Sequence, residues 1–338
     1  MAGRGLGVAA VARRAGVSTA TVSNVINRPE VVSAATRAKV AAAIKELDFV
    51  PNRAAATLRQ GSNRLVGLVV PEILNPFYAA ITGAVADAAD RAGYAVALCV
   101  SHDDPARELR HFDTLAEQRA AGALVVPLSA DPSRLSQLRM VGARLVLVDR
   151  VSAEHEGCSV AIDDVEGGRI AVEHLLAAGP RRIALVNGPL SIPQCTNRRT
   201  GARTAMAAAG LDPDSIVEFE VQDMTVDEGR QIGIRLARTR GPRAVFCIND
   251  QLAVGVMRGL AEEGIPTPGR ASVVGYGDLD LATEGALPLT TVAQPKRELG
   301  ELALGRLLAE LSEGAAHHHT ATMLHPQLVV RDSAPAAA

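Results

Sequence analysis

The sequence predicts an N-terminal all-α helix-turn-helix head with a short connecting helix, followed by an α/β core of two doubly wound parallel-sheet lobes. Three observations carry this. Residues 8–27 read as helix, glycine turn, helix. From Leu65 onward, uninterrupted apolar runs alternate with amphipathic segments, the texture of parallel strands covered on both faces by helices. More than eight such runs recur, which suits two sheets better than one.

Composition narrows the class. A chain of 338 residues has room for about two or three compact domains. Hydrophobic residues at 48% and charged residues at 21% describe a globular protein. There is no Trp and aromatics are only 2%, so aliphatic side chains must fill the cores. No apolar run reaches the ~18 residues that a membrane helix needs. The N-terminal residues lack the unbroken apolar stretch of a secretory signal, so a cytoplasmic protein is expected. Cys99, Cys158, Cys195 and Cys247 are scattered without a CxxC pair and read as reduced thiols, not a disulfide framework or zinc site. The net charge of −2 hides an asymmetry: residues 1–64 hold ten Lys/Arg against three acids, and the remainder 25 against 34. A basic head on an acidic body points to a polyanion partner for the head alone.

The head is read first. Residues 1–7 are Gly-rich, and residues 5–10 match a GxGxxA fingerprint that is discounted because no strand precedes it. A helix over 8–14 carries apolar Val8, Val11 and Ala12. Gly16 allows the left-handed turn that ends it, and Ser18 is a good N-cap for the next helix. There Val17, Val22, Val25 and Ile26 form the apolar side, while Thr19, Ala20, Thr21, Ser23 and Asn24 remain short, small or polar on the other. Such a helix could lie against base edges in a major groove; an ordinary helical hairpin is the bland alternative. Ser33 caps a third helix through 47, with Val40, Ile44 and Leu47 closing a small core. Pro51 then opens a basic segment of about two helical turns with no obvious apolar face. It is too short to be stable alone, so it is expected to fold only when something contacts it.

In the core, strands are expected over 65–70, 95–100, 123–126, 145–148, 160–162, 183–186, 216–221, 244–248 and 272–276, with a last strand near 327–331. Helices are expected over 77–92, 105–121, 165–178, 198–209, 225–239 and 250–263, with a short one after 126. Ligands of open α/β sheets sit beyond the carboxyl ends of strands. Those ends carry Asn75 and Phe77, Asp149 and Arg150, Asn187 and Gly188, Asn249 and Asp250, and Tyr276, Gly277 and Asp278. No strand–GxGxxG–helix unit, Ser/His/Asp grouping or metal-ligand spacing stands out. A non-enzyme without cofactor or metal is expected, with His317–His319 a solvated loop.

Taken together, residues 16–27 and 51–58 and the strand ends resemble the LacI/GalR family of bacterial transcriptional regulators. The resemblance covers nearly the whole chain. It rests on AGVSTATVSNVIN from Ala15, VSAATRAKVAAAIKELDFVPNRAA from Val32, VGLVVPEILNPFYAAI from Val66, FCINDQLAVG from Phe246, SVVGYGDLDLA from Ser272 and LTTVAQP from Leu289. It implies a headpiece over 1–50, a hinge helix over 51–61 and a periplasmic sugar-binding-protein-like core over 62–338. In that core the N-lobe takes about 62–161 plus 292–320, and the C-lobe about 162–291 plus 321–332. It implies a regulator, a repressor by type, that binds a pseudo-palindromic operator as a homodimer without a membrane partner. Thr19, Ala20 and Asn24 match base-facing positions, and Ser18, Thr21, Ser23, Asn27, Thr36 and Asn52 match phosphate-binding ones. Leu58 matches a leucine that wedges into the minor groove with Arg59 beside it; packing on the core is the alternative for Leu58. A small sugar-like effector would lie against Asn75, Phe77, Tyr78, Asp149, Arg150, Arg198, Met224, Asn249 and Gln294. A helix cap is the local alternative for Asn249, and a strand-end cap for Asp149. Gly277 stands where the family usually has an acid, and Met224 where many relatives have an aromatic. These departures keep open a ligand-independent regulator with a degenerate cleft. Ile192 and Gln194 are not the Arg and Thr of purine-sensing members, which disfavours a purine.

Overall fold

The computed structural model describes residues 7–49, 64–128, 144–151, 157–239 and 241–336, apart from the side chain of Asn27. They fall into two compact units that divide after Asn63. The connecting helix expected over 51–61, with Asn52, Leu58 and Arg59, lies outside the described residues, as does the short helix expected after 126.

In the head, α1 (Val8–Ala15) ends at Gly16, whose φ of 66° and ψ of 35° are left-handed. The helix α2 (Thr19–Asn27) starts at Ser18, whose side chain accepts the Thr21 N–H at 3.0 Å. The helix α3 (Ala34–Glu46) is capped in the same way by Ser33, which accepts from Thr36 at 3.3 Å. Val11, Ala12, Val22, Val40, Ala43 and Phe49 are buried together, with Val17, Val25, Ile26, Ile44 and Leu47 packed around them. Val8, expected inside, is 37% exposed. It lies in the first turn of α1, where its neighbours leave it uncovered.

The core contains two sheets. The first has the order β11-β5-β4-β3-β1-β2, all parallel. Its strands are β1 (Leu65–Val70), β2 (Ala95–Val100), β3 (Gly122–Val125), β4 (Arg144–Val148), β5 (Cys158–Ile162) and β11 (Ala321–Leu324). The second has the order β12-β10-β9-β8-β6-β7. Its strands are β6 (Ile183–Asn187), β7 (Val217–Glu220), β8 (Ala244–Cys247), β9 (Ser272–Gly277), β10 (Thr290–Ala293) and β12 (Gln327–Val329), and β12 alone of these runs antiparallel to its neighbour. Buried runs such as Leu65–Val70 and Ile183–Asn187 are apolar on both faces because helices cover both. On one side of the first sheet lie α4 (Pro76–Arg91) and α11 (Lys296–Glu313); α5 (Pro105–Glu117) packs Phe112 and Leu115 on the other. The second lobe takes α6 (Asp164–Ala177), α7 (Pro193–Ala208), α8 (Val226–Arg238), α9 (Asp250–Glu262) and the short α10 (Leu281–Glu284).

The chain crosses between lobes after β5, after β10 and after β11. This corrects one expected boundary: residues 321–324 belong to the first lobe, not the second. There β11 pairs in register with β5, and Leu324 is buried in the first lobe's core. As a half-exposed edge strand, it lacks the continuous apolar run that marks the others. For the same reason the crossing falls at His325 and Pro326, beyond the histidine run where the sequence suggested it.

Candidate ligand cavity and nucleic-acid face

All nine cleft residues expected from the strand ends and the resemblance line one cavity of about 230 Å³ at the carboxyl ends of both sheets. The first lobe contributes Asn75, Phe77, Tyr78, Asp149 and Arg150; the second contributes Arg198, Met224 and Asn249, and Gln294 lies on the second crossing.

Three of these residues carry buried polar atoms without a hydrogen-bond partner among the described residues: Asp149 Oδ1, Arg150 Nε and Gln294 Nε2. Such groups cost roughly 1–3 kcal/mol each if left unmade, so their convergence on one cavity points to a polar occupant. The second Asp149 oxygen, Oδ2, accepts from Gln194 Nε2 at 2.8 Å. Burial, followed by the charge of Asp164, pushes the Asp149 carboxyl up to about 7, against the pull of Gln194, Arg198 and Arg150. Burial and the Asp149 charge likewise raise the Tyr78 phenol. Asp149 also sits at φ 57° and Met224 at φ 53°, left-handed conformations that cost non-glycine residues energy and cluster at functional sites.

Other residues serve the walls. Arg198 is buried, its Nε donates to Asp164 Oδ1 at 2.8 Å, and one terminal nitrogen donates to the Ile248 carbonyl at 2.7 Å. Its guanidinium lies 3.7 Å from the centre of the Tyr276 ring. The fork expected for a ligand is therefore largely committed to the protein, with one terminal nitrogen left over. Asn249 accepts the Leu252 N–H at 2.7 Å and donates to the Met224 carbonyl at 3.1 Å, so it caps α9 and holds Met224. Asn75 caps α4 by accepting the Phe77 N–H at 3.0 Å. Phe77 and Tyr78 meet edge to face, with ring centres 5.2 Å apart.

Gly277 has a local reason to lack a side chain. Its φ of 133° is closed to most L residues, and a Cβ there would lie 3.3 Å from Asp250 Oδ2. The Asp278 that remains pairs with Arg331 at 2.6 Å and does not line the cavity. Sequence reasoning placed Tyr276 at a strand end without giving it a partner, missed Asp164, and gave Gln194 no role in the cavity. For Asp164 a signal existed: two acids open α6, and Asp163 alone makes the cap, accepting from Glu166 at 2.9 Å. The second is free to turn inward, where it also accepts from the Tyr276 hydroxyl at 2.7 Å.

In the head, Thr19, Ala20 and Asn24 are exposed on α2, while Val22 is buried. Ser18 is exposed, and Thr21, Ser23 and Thr36 are half-buried. The Ser18 and Thr21 hydroxyls bond each other at 2.9 Å, as do those of Ser33 and Thr36.

A helix-turn-helix head joined to a two-lobed core with a polar cavity at its strand ends defines a ligand-responsive DNA-binding regulator. Residues 9–52 match the family model of bacterial regulatory proteins, lacI family, and residues 172–334 match a periplasmic binding protein-like domain. The ribose operon repressor of Escherichia coli (strain K12) is 36% identical over 96% of this chain and 98% of its own length. The lac repressor dimer bound to operator and the anti-inducer ONPF superposes with a TM-score of 0.86 at 29% identity, covering 98% of this chain and 100% of that one. A LacI-family regulator from Enterococcus faecium with bound ribose matches at a TM-score of 0.72 and 26% identity, over 81% of this chain and 100% of that one. This chain belongs to the LacI family of transcriptional regulators, and the curated relative it matches is by name a repressor, not an enzyme. Among the described residues, no helix is long and apolar enough to cross a membrane.

Proposed function

We propose that the chain is a cytoplasmic, non-enzymatic repressor that binds a pseudo-palindromic operator as a homodimer, its operator affinity set by a sugar in the cavity between the lobes. Its parts are a headpiece over 1–50, a hinge over 51–61 and a core over 62–338, with residues 321–324 assigned to the first lobe. The observation that carries the effector is the convergence of Asp149 Oδ1, Arg150 Nε and Gln294 Nε2, buried and unpaired, on one cavity. A sugar hydroxyl both donates and accepts, so a polyol can satisfy one acceptor and two donors at once. Phe77 offers a flat apolar face to the ring, while Met224 and Tyr78 close the walls. A cavity of about 230 Å³ suits a ligand smaller than drug-sized. A pentose is the first candidate, because two relatives carry ribose in their names or binding sites.

On DNA, Thr19, Ala20 and Asn24 meet base edges: Asn24 can pair bidentately with adenine, and Ala20 or the Thr19 methyl can touch a thymine methyl. Ser18, Thr21, Ser23, Asn27, Thr36 and Asn52 bond phosphates and set register. Leu58, with Arg59, enters the minor groove and kinks the duplex.

The test is calorimetric titration of the full chain with pentoses, hexoses and polyols. At least one sugar should bind wild type, and Asp149→Ala should weaken it by about tenfold or more while leaving DNA binding intact. A cavity that takes none of them, or an affinity indifferent to Asp149, would favour the ligand-independent alternative.

A further inference from the structure

We propose a second site, for a borderline-soft divalent metal ion such as zinc, formed by Cys158, His317 and His319 at the opposite end of the first lobe's strands from the sugar cavity. The histidine run is not the wholly solvated loop expected: the His317 side chain is only 6% exposed. Its Nε2 lies 3.1 Å from the buried Cys158 Sγ, and His319 Nδ1 lies 3.8 Å from the same sulfur. All three donor atoms fall within 4.8 Å of one another, and among the described residues this is the one such grouping of His, Cys, Asp or Glu.

The arrangement has the features of a ligand set. The other nitrogen of His317, Nδ1, lies 2.7 Å from Glu313 Oε2. A carboxylate can only accept there, so Nδ1 carries a proton, which leaves Nε2, on the sulfur side, as the nitrogen able to bind an ion. This carboxylate–histidine pairing is how ligating imidazoles are oriented in metal sites. In a tetrahedral zinc site, bond lengths of about 2.3 Å to sulfur and 2.0 Å to nitrogen place S and N roughly 3.5 Å apart. The two separations here bracket that value. The ion would displace the thiol proton to solvent and leave one coordination position to water.

Topology explains why the sequence hid this site. Cys158 opens β5, and the histidines lie in the loop that leads from α11 into β11, the neighbour of β5. More than 150 residues separate them, so no ligand spacing shows. An ion there would fasten the α11–β11 loop to the start of β5.

The probe is cobalt(II), added to metal-free full-length chain. The expected result is one ion per chain and a thiolate-to-cobalt charge-transfer band that zinc abolishes and that is absent in Cys158→Ser. His319→Gln and Glu313→Gln should weaken binding by about tenfold or more. His319 is exposed, so its variant tests the site even if Cys158→Ser fails to fold. Zinc should raise the melting temperature of wild type and leave that of His319→Gln unmoved. Cobalt bound without the band, or with an affinity indifferent to His319, would leave only a thiol–imidazole hydrogen bond and overturn the proposal.

Discussion

Asp149 is held in a left-handed backbone conformation, buried beside the charge of Asp164, with one carboxylate oxygen unpaired among the described residues. Burial and that charge lift its titration to about 7. Between the ordinary aspartate range, near pH 4, and pH 7, the unfolded chain has lost this proton while the folded chain keeps it. The folded state then binds more protons, so this group's contribution to stability falls as pH rises across that window and levels off above it. Urea unfolding of the ligand-free protein should show that decline in wild type and its absence in Asp149→Asn. The variant should gain on the order of 4 kcal/mol relative to wild type between pH 4 and pH 8. A difference that does not change with pH would contradict the assignment. The position of Asp149 at a strand end was legible in the sequence. Its bond to Gln194 was not, because that contact joins residues on different lobes.

At the scale of elements, α6 and α7 cross so closely that their backbones touch. A Cβ on Gly201 would overlap the Val165 carbonyl, and one on Gly168 would overlap the backbone of Arg198. These glycines let Asp164 and Arg198 meet beneath the cavity. Gly201→Ala should force the helices apart, cost about 1–3 kcal/mol in denaturant unfolding, and weaken sugar binding by displacing Arg198. Unchanged stability would show that the crossing is slack. In the head, Asn24→Ala should cost about 1–3 kcal/mol on specific DNA and nearly nothing on random DNA, measured by titration on both. Equal losses would remove Asn24 from base readout. Elements were legible wherever one pattern decided them. Gly16 and Ser18 mark the turn and the cap, and the buried parallel strands read as apolar runs. Several features escaped: β10 and α11, which no expected segment covered; β11, which alternates in exposure at a sheet edge; and the close helix crossing, which depends on tertiary distance.

For the whole molecule, three chain crossings join the lobes, and Asp149 and Gln194 form a latch across the cavity between them. On the function proposed above, a sugar that engages Asp149 would compete with or reinforce that latch and so bias the angle between lobes. Coupling of this kind typically amounts to ~1–3 kcal/mol, or roughly 5- to 150-fold in affinity. The two-lobed architecture was legible from the number of apolar runs, and the cavity from the polar and amide residues at their carboxyl ends. The commitment of Arg198 to Asp164, and of Asp278 to Arg331, was not, because each pairing joins segments far apart in the chain. The most direct test is an operator titration, using DNA selected from random sequence, with and without the sugar that binds best. Wild type should change its operator affinity by about fivefold or more on adding the sugar, while Asp149→Ala should bind operator equally well with and without it. An affinity that ignores the sugar, or a response that survives in Asp149→Ala, would contradict the account.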